Sequence, residues 1–209
     1  MGKIRITSYG HSCFKISTES GAVILDPYED GKVPGLVLPE NLEADAVYCS
    51  HQHADHNAAH LVRLSGKGEP FKVSFLTVPH DHHGGSRRGM NRITFLQAEG
   101  ICIAHLGDLG RLPTDEEYES LRKADIVMLP CAGYFTISSE EAREVIQQLK
   151  KPSLKILMHF RDGKRGYEVQ EDIRDIMKVI PGVKRLPVSE LEIDPDRIPH
   201  SVVTLEPAV

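Results

Sequence analysis

The residues best suited to chemistry stand in one short run, His51-Gln-His-Ala-Asp-His56, which contains three imidazoles and one carboxylate. Imidazole and carboxylate are ligand types that suit zinc, iron and manganese. Side chains two positions apart in an extended segment point the same way. His51 and His53 are therefore placed to reach one cation, while Asp55 and His56 turn toward a second. The run predicts a metal site.

Polar residues elsewhere in the chain follow apolar runs at the point where each run ends. The set is Asp26 after 22–25, His51 after 46–49, His80 after 75–79, Asp108 after 101–107, and His159 after 155–158. In open α/β sheets, ligands bind just outside the carboxyl ends of the strands. We therefore expect these side chains to converge on one site.

The elements that must position these residues are short strands alternating with helical patterns, and no repeat interrupts them. Strands are predicted at 4–8, 13–17, 22–25, 46–49, 71–78, 93–97, 101–104, 126–129 and 154–158, with hairpins at 13–25 and 93–104. Helices are predicted at 57–64, 115–123, 139–150 and 169–179. A capping box of Ser138 and Glu141 begins the third helix and Pro152 ends it. The segment 183–209 is Pro-rich and charged, with 202–205 predicted as an edge strand.

Composition favours a small globular protein. The chain has 209 residues, 40% of them hydrophobic, with a net charge of −5, and it contains no Gly/Ser linker. One domain spanning 1–209 is therefore predicted. The acidic balance disfavours a protein that coats nucleic acid. The four cysteines are widely spaced, which is typical of buried, reduced thiols. With no signal-peptide pattern and no apolar run of membrane-spanning length, we expect a cytoplasmic protein without a membrane anchor.

Further motifs accompany the 51–56 run. They are Tyr9-Gly-His-Ser-Cys-Phe14, Leu25-Asp-Pro27, His80-Asp81, Arg88-Gly-Met-Asn91, His105-Leu-Gly-Asp108 and Met158-His-Phe160. With these residues in place, the chain resembles the metallo-β-lactamase superfamily. More narrowly, it resembles the small metal-dependent hydrolases related to the ascorbate-6-phosphate lactonases.

The resemblance implies an α/β fold of the superfamily's kind, a four-layered αββα sandwich in which helices flank two mixed β-sheets. It also implies a first cation held by His51, His53 and His80, and a second held by Asp55, His56 and His159. Asp108 would bridge the two cations, and Asp26 would hydrogen-bond the ligand loop. His82 and His83 stay open as alternatives to His80, which has the family's spacing to residues 88–91.

Such a site supports hydrolysis. Two divalent cations ~3.5–4 Å apart can share a hydroxide, since metal binding lowers the pKa of water from ~15.7 toward ~7. The hydroxide is expected to attack a carbonyl or phosphoryl centre. Asp55 is predicted as the catalytic residue that orients it and passes a proton to the leaving group. Zinc is the first choice of metal, with Mn²⁺ or Fe²⁺ as alternatives.

Several other residues have open roles. His11 is predicted either beside the metal ligands or as a structural histidine. Arg87 and Arg88 are predicted either to clamp an anionic substrate or to belong to a solvated basic loop. His105 is expected to make a structural hydrogen bond, and Cys131 to be a small buried residue.

The predicted function is hydrolysis of a small anionic ester, lactone or phosphodiester. The alternatives are a metal-dependent nuclease on RNA or DNA, a mono-iron dioxygenase on the same fold, and a metal-binding protein without catalysis. The predicted partner is a small-molecule substrate; nucleic acid is disfavoured, and a homo-oligomer stays open.

Overall fold

Two β-sheets carry the architecture of this protein, seen here in a computed structural model that describes residues 2–149 and 154–208. The strands are β1 (Ile4–Ser8), β2 (Phe14–Thr18), β3 (Gly21–Leu25), β4 (Glu43–Ala44), β5 (Ala46–Tyr48), β6 (Arg63–Leu64), β7 (Lys72–Pro79), β8 (Met90–Ala98), β9 (Ile101–His105), β10 (Ile126–Pro130), β11 (Leu154–Met158), β12 (Val183–Leu186), β13 (Glu190–Ile193) and β14 (Val202–Leu205). The α-helices are α1 (Asp115–Leu121), α2 (Ser139–Gln148) and α3 (Ile173–Val179).

Both large sheets are mixed. The first runs in the order β13-β1-β2-β3-β5, with only the β3–β5 pair parallel. The second runs β12-β14-β11-β10-β9-β8-β7, parallel from β12 to β9 and antiparallel beyond. Strands β4 and β6 form a separate two-stranded pair. No helix in the described part of the chain has the length and apolar character needed to cross a membrane.

The main core lies between the two sheets. On β1 the inward residues Ile4 and Ile6 are buried and Arg5 is exposed, the alternation expected of a strand with one face in the core. In contrast, β10 and β11 are buried along their whole length because they lie inside the parallel part of the second sheet. The outer face of that sheet is covered by the helices, through residues such as Leu121, Val145 and Ile176.

Irregular chain covers the outer face of the first sheet. Residues of the 28–42 segment, among them Tyr28 and Leu36, pack there on Ile24. The predicted helix at 57–64 is wrong, since only a 3₁₀ turn at Ala59–Leu61 forms before β6. The reason is that the backbone N–H of Arg63 donates to Leu42 at 2.8 Å, so this segment pairs with β4 instead of continuing a helical ladder. The predicted α/β fold with a sandwich of two mixed β-sheets is confirmed, with helices on the outer face of the second sheet and irregular chain on the outer face of the first.

The local predictions for the hairpins and the capping box are confirmed. Strands β2–β3 and β8–β9 are antiparallel pairs joined by short turns. The side chain of Ser138 accepts from the backbone of Glu141, and the Glu141 side chain accepts from the Ser138 backbone. The predicted end of this helix at Lys150 and Pro152 lies outside the described residues.

The tail is more ordered than its composition indicates. Segment 183–209 supplies β13 to the first sheet and β12 and β14 to the second. The prediction of 202–205 as a strand is confirmed, but its edge position is wrong, because β12 pairs on its outer side. The helix predicted at 169–179 begins at Ile173, where Asp172 caps it by accepting from the Arg174 N–H at 3.1 Å.

Candidate metal centre

The polar residues at the strand ends come together around one carboxylate. Asp108, three residues beyond β9, has a side-chain oxygen 3.3 Å from His56 Nε2 and another 3.2 Å from His159 Nε2. The Nε2 atoms of His80 and His51 lie 3.5 and 4.0 Å from the same carboxylate. Residues more than a hundred positions apart in the chain therefore lie close together, as predicted from their positions at the ends of strands.

Three groups of side chains can each converge on one metal ion, with ligand atoms within 4.8 Å of one another. One group is His51, His53 and His80; a second is His11, Asp55, His56 and His159; a third is His51, His56 and Asp108. All seven residues predicted as ligands thus lie in the cluster. His11 lies inside it as well, although the sequence placed it beside the ligands or in a structural role.

Several polar atoms of the cluster residues are buried without a hydrogen-bond partner. They are both ring nitrogens of His11, Nε2 of His51, His56 and His159, Nδ1 of His80, and Oδ1 of Asp108. Leaving one buried polar group unpaired costs about 1–3 kcal/mol. Such a concentration of unpaired atoms needs a physical reason, and divalent cations fit, because one nitrogen lone pair from each imidazole and an oxygen lone pair of Asp108 could serve as ligands.

Asp26 orients two of the histidines. Its carboxylate accepts from Ser50 N at 2.6 Å and from Ser50 Oγ at 2.6 Å, and it lies 2.8 Å from His56 Nδ1. Ser50 Oγ in turn is 2.9 Å from His51 Nδ1. A carboxylate only accepts, so it keeps the hydrogen on His56 Nδ1 and leaves Nε2 free to face Asp108. These are the contacts that the resemblance implies for Asp26.

Burial and charge set the protonation states. Burial, helped by the nearby His159, lowers the pKa of His11 to about 3. Burial and His56 lower the pKa of His51 to about 3, and burial lowers that of His80 to about 4. For His56, burial opposes charge, but Asp108 and Asp26 prevail and raise its pKa well above 6.5. His11, His51 and His80 are therefore neutral donors at pH 7 and Asp108 is a charged one, whereas His56 has to release a proton before its Nε2 can bind a divalent cation.

Two residues from the segment between β11 and α3 complete the surroundings of the cluster, and neither belongs to a motif recognised in the sequence. Gln170 Nε2 lies 2.7 Å from His159 Nδ1 and donates to the His159 carbonyl at 3.0 Å. The Tyr167 hydroxyl lies 3.1 Å from Asp55 Oδ2 and 2.6 Å from the carbonyl of Lys32. Both were missed because their roles arise from a loop that folds back over the cluster.

Three residues of the site have left-handed backbone conformations that non-glycine residues rarely adopt. The φ angles are 52° at His11, 45° at Asp26 and 58° at His159. Each such residue costs of order 1–3 kcal/mol and persists only where surrounding contacts enforce it. The chain thus holds these side chains in place at a cost in stability, which is characteristic of functional sites.

The loop after β7 distinguishes the three neighbouring histidines. His80 is buried in the cluster, whereas His82 is exposed and lies 2.7 Å from Glu141, and His83 is exposed. Asp81 fixes the loop, because its carboxylate accepts four backbone N–H groups from residues 83, 85, 87 and 88. Burial opposes charge on Asp81, but these hydrogen bonds lower its pKa.

Arg87 and Arg88 lie on this loop beside a pocket of about 690 Å³, which both residues line. The Arg88 guanidinium carbon is 4.7 Å from the centre of the Phe135 ring and 5.7 Å from that of Tyr134. His80 lines the same pocket, so the two arginines are next to the metal cluster.

His105 and Cys131, which were predicted to be structural, are both buried and have hydrogen-bond partners. His105 is buried, with Nε2 2.9 Å from the Ser12 carbonyl and Nδ1 accepting from Gly107 N at 3.2 Å. Cys131 is buried, its thiol lies 3.5 Å from the Met158 carbonyl, and it is in none of the groups of candidate ligands.

The sequence of this chain matches a known protein family. Residues 5–159 match the family described as the β-lactamase superfamily domain, and the chain belongs to that family. It is 27% identical over 189 residues to a UPF0173 metal-dependent hydrolase of Thermoplasma volcanium, covering 75% of this chain and 83% of that protein. A second relative of the same description, from Desulfitobacterium hafniense, is 26% identical over 234 residues, covering 92% and 96%.

Solved structures of other proteins share the fold of this chain. A candidate zinc-dependent hydrolase of the metallo-β-lactamase superfamily from Thermotoga maritima has a TM-score of 0.74 and 28% identity, covering 97% of this chain and 98% of that one. Igni18, a metallo hydrolase of Ignicoccus hospitalis, shares the fold with a TM-score of 0.67 at 16% identity, covering 92% and 99%. This chain has the fold, the family and the His/Asp cluster of a metal-dependent hydrolase, so the predicted enzyme class is confirmed.

Proposed function

We propose that this metal-dependent hydrolase holds two divalent cations and hydrolyses a small anionic ester, lactone or phosphodiester. His51, His53 and His80 would hold the first cation, Asp55, His56 and His159 the second, and Asp108 would lie between them. The observation that carries the proposal is the convergence of unpaired buried nitrogens on Asp108. Zinc is the first metal to test, followed by manganese and iron.

The cations would supply the nucleophile and the charge stabilisation: when bound, they lower the pKa of water toward ~7 and stabilise the negative charge that builds on the substrate. The protein's own contribution is to fix the direction of the imidazoles, while burial keeps His11, His51 and His80 neutral. Asp26 orients His56 directly and His51 through Ser50.

Asp55 is the proposed catalytic residue. Its side chain is 19% exposed, whereas that of Asp108 is 3% exposed, so Asp55 is the more accessible carboxylate of the two. Burial opposes charge on Asp55, but His11 and His56 lower its pKa, so the carboxylate is charged at neutral pH. It would take the proton of the attacking water and pass it to the leaving group. The Tyr167 hydroxyl at 3.1 Å orients it.

Arg88 is the proposed anchor for the substrate's negative charge, with Arg87 beside it. A guanidinium group binds carboxylates and phosphates through paired N–H donors. Its stacking on Phe135 holds the side chain at the rim of the pocket, and Asp81 holds the backbone. A small anionic substrate would thus place its charged end on Arg88 and its scissile bond near Asp108.

The test combines elemental analysis with a substrate screen. Protein freed of metal and reloaded with zinc, manganese or iron is expected to bind about two ions per chain and to cleave one or more members of a panel of phosphodiesters, lactones and thioesters. His51→Ala is expected to lose metal and activity together. His200→Ala, which removes an exposed histidine outside the cluster, is the matched control.

Three results would contradict the proposal. One is full metal content and activity in His51→Ala. Another is a salt-sensitive affinity for single strands together with cleavage of RNA or DNA, which would make the protein a nuclease. The third is one bound iron with oxygen-dependent activity, which would make it a dioxygenase.

The role of Arg88 has its own test, once a substrate is found. Arg88→Ala is expected to raise KM for an anionic substrate by about 10- to 100-fold, the equivalent of about 1.4–2.8 kcal/mol for a charged hydrogen bond. Arg5→Ala, which removes an exposed arginine on β1, is the control and should leave KM unchanged. An unchanged KM in Arg88→Ala would assign the arginine to a solvated loop.

A further inference from the structure

His11 is held against the metal cluster by the backbone. It lies in the turn between β1 and β2, in a left-handed conformation with φ of 52°. Its carbonyl accepts a hydrogen bond from His159 N at 3.0 Å, which ties this turn to the loop that carries His159. As a result the two imidazole rings lie with their centres 4.0 Å apart, and the His56 ring centre is 5.0 Å from that of His11.

The His11 imidazole has no hydrogen-bond partner for either ring nitrogen, and its side chain has no exposed surface. His11 Nε2 lies 3.4 Å from Asp55 Oδ2, which is longer than the 2.7–3.2 Å typical of a hydrogen bond. A structural histidine in this protein looks different: His105 is equally buried, and both of its nitrogens have partners. The structural role left open for His11 therefore does not match its surroundings.

The position of His11 Nε2 indicates that this atom is a metal ligand. It faces the oxygen of Asp55, and one ligand atom from each of His11, Asp55, His56 and His159 lies within 4.8 Å of the others. Without His11, the second cation would have two imidazoles and Asp55, beside the shared Asp108. With it, each cation has three imidazoles, His51, His53 and His80 on the first side.

We propose that His11 is a direct ligand of the second cation, together with Asp55, His56 and His159. This rests on the proposed two-cation function and deepens it. The second position would then be at least as rich in nitrogen donors as the first. It follows that removing His11 should weaken the second cation selectively and leave the first in place.

The primary test observes His11 in the native protein, so it does not depend on a variant that folds. Two-dimensional NMR of the ring nitrogens is recorded on metal-free chain and after addition of one and two equivalents of zinc. The expected result is that one ring nitrogen of His11 changes to the shift of a metal-bound nitrogen as the second equivalent binds. Unchanged His11 ring nitrogens in protein that has bound two zinc ions would overturn the proposal.

Variants of His11 measure how much its side chain contributes to zinc affinity. His11→Asn and His11→Ala are titrated with zinc against a competing chelator, and their folding is checked by circular dichroism. The second equivalent is expected to bind more than 100-fold more weakly, beyond the 10–100-fold effect of a residue that only supports a ligand. The affinity for the first equivalent should stay within about threefold. Cobalt-substituted variants should also lose intensity in, or shift, the visible bands of the second ion.

Controls separate this inference from the proposed function. His159→Ala should weaken the second equivalent in the same way, while His60→Asn removes an exposed imidazole outside the cluster and should leave both affinities unchanged. Two zinc ions bound with native affinity by His11→Asn would refute the ligand role alone. A wild-type chain that binds no zinc, manganese or iron would refute the proposed function itself, and with it this inference.

Discussion

Replacing Asp26 with asparagine tests how the site controls its own histidines. The substitution keeps the size of the side chain but turns one of two accepting oxygens into an NH₂ donor. Asp26 Oδ1 accepts from Ser50 N at 2.6 Å, and Oδ2 serves Ser50 Oγ at 2.6 Å and His56 Nδ1 at 2.8 Å. No orientation of the amide can satisfy all three contacts.

Each orientation of the amide at position 26 lowers either the stability of the protein or its affinity for the cation. If the amide nitrogen replaces Oδ1, it meets the Ser50 N–H donor, and a buried unpaired pair costs about 1–3 kcal/mol of stability. If it replaces Oδ2, it donates to His56 Nδ1, which moves the ring hydrogen to Nε2, the atom that faces Asp108. That tautomer cannot bind a cation through Nε2, and affinity should fall by about 10–100-fold, or about 1.4–2.8 kcal/mol.

The assay is zinc titration of metal-free protein against a competing chelator, paired with urea unfolding of the same samples. Asp45→Asn is the matched control, because Asp45 also accepts a backbone hydrogen bond, from Ala22 N at 2.7 Å, but its partners Ala22 and Ser65 lie outside the cluster. It should lose stability without losing zinc affinity. Native zinc affinity together with native stability in Asp26→Asn would refute the reasoning.

Three other outcomes are expected. Chelation should lower Tm by about 5–11 °C if free metal stood at 100 times Kd, since that binding is worth about 2.7 kcal/mol and 1 kcal/mol shifts Tm by about 2–4 °C at this size; an unchanged Tm would argue against bound metal. Metal-free protein should lose stability as pH falls from 6.5 toward 4. There His11, His51 and His80, with pKa values of about 3, 3 and 4, stay neutral when folded but gain protons when unfolded, at up to about 1.4 kcal/mol per pH unit for each. Urea midpoints across that range check this, and a flat profile contradicts it. Asp172→Asn should lower unfolding free energy at pH 7 by about 1–2 kcal/mol, because the buried carboxylate pairs with Arg174, which lowers its pKa; its stability contribution is present above 3.8 and lost as pH falls through the depressed folded pKa, so the variant and wild type should converge in acid.

The sequence by itself determined the chemistry of the site and the strands that carry it. Local patterns are enough for that, because ligand types stand next to each other in 51–56 and single polar residues stand at the ends of apolar runs. Hairpins and the capping box of Ser138 and Glu141 were predictable for the same reason, since their hydrogen bonds join residues close in the chain. The hydrogen bond that His105 Nε2 donates to the Ser12 carbonyl was predicted only as a structural bond, without its partner.

Only the tertiary structure decided which distant side chains close the site. His11 and Tyr167 reach Asp55 from segments 44 and 112 positions away, and no spacing in the chain encodes such contacts. The same holds for the tail, whose strands form by pairing with β1 and β11, although charge and proline content favour a loop. Local propensity contributes little compared with strand pairing and burial in the core, so segment 57–64 forms a 3₁₀ turn followed by β6, which pairs with β4, instead of a helix.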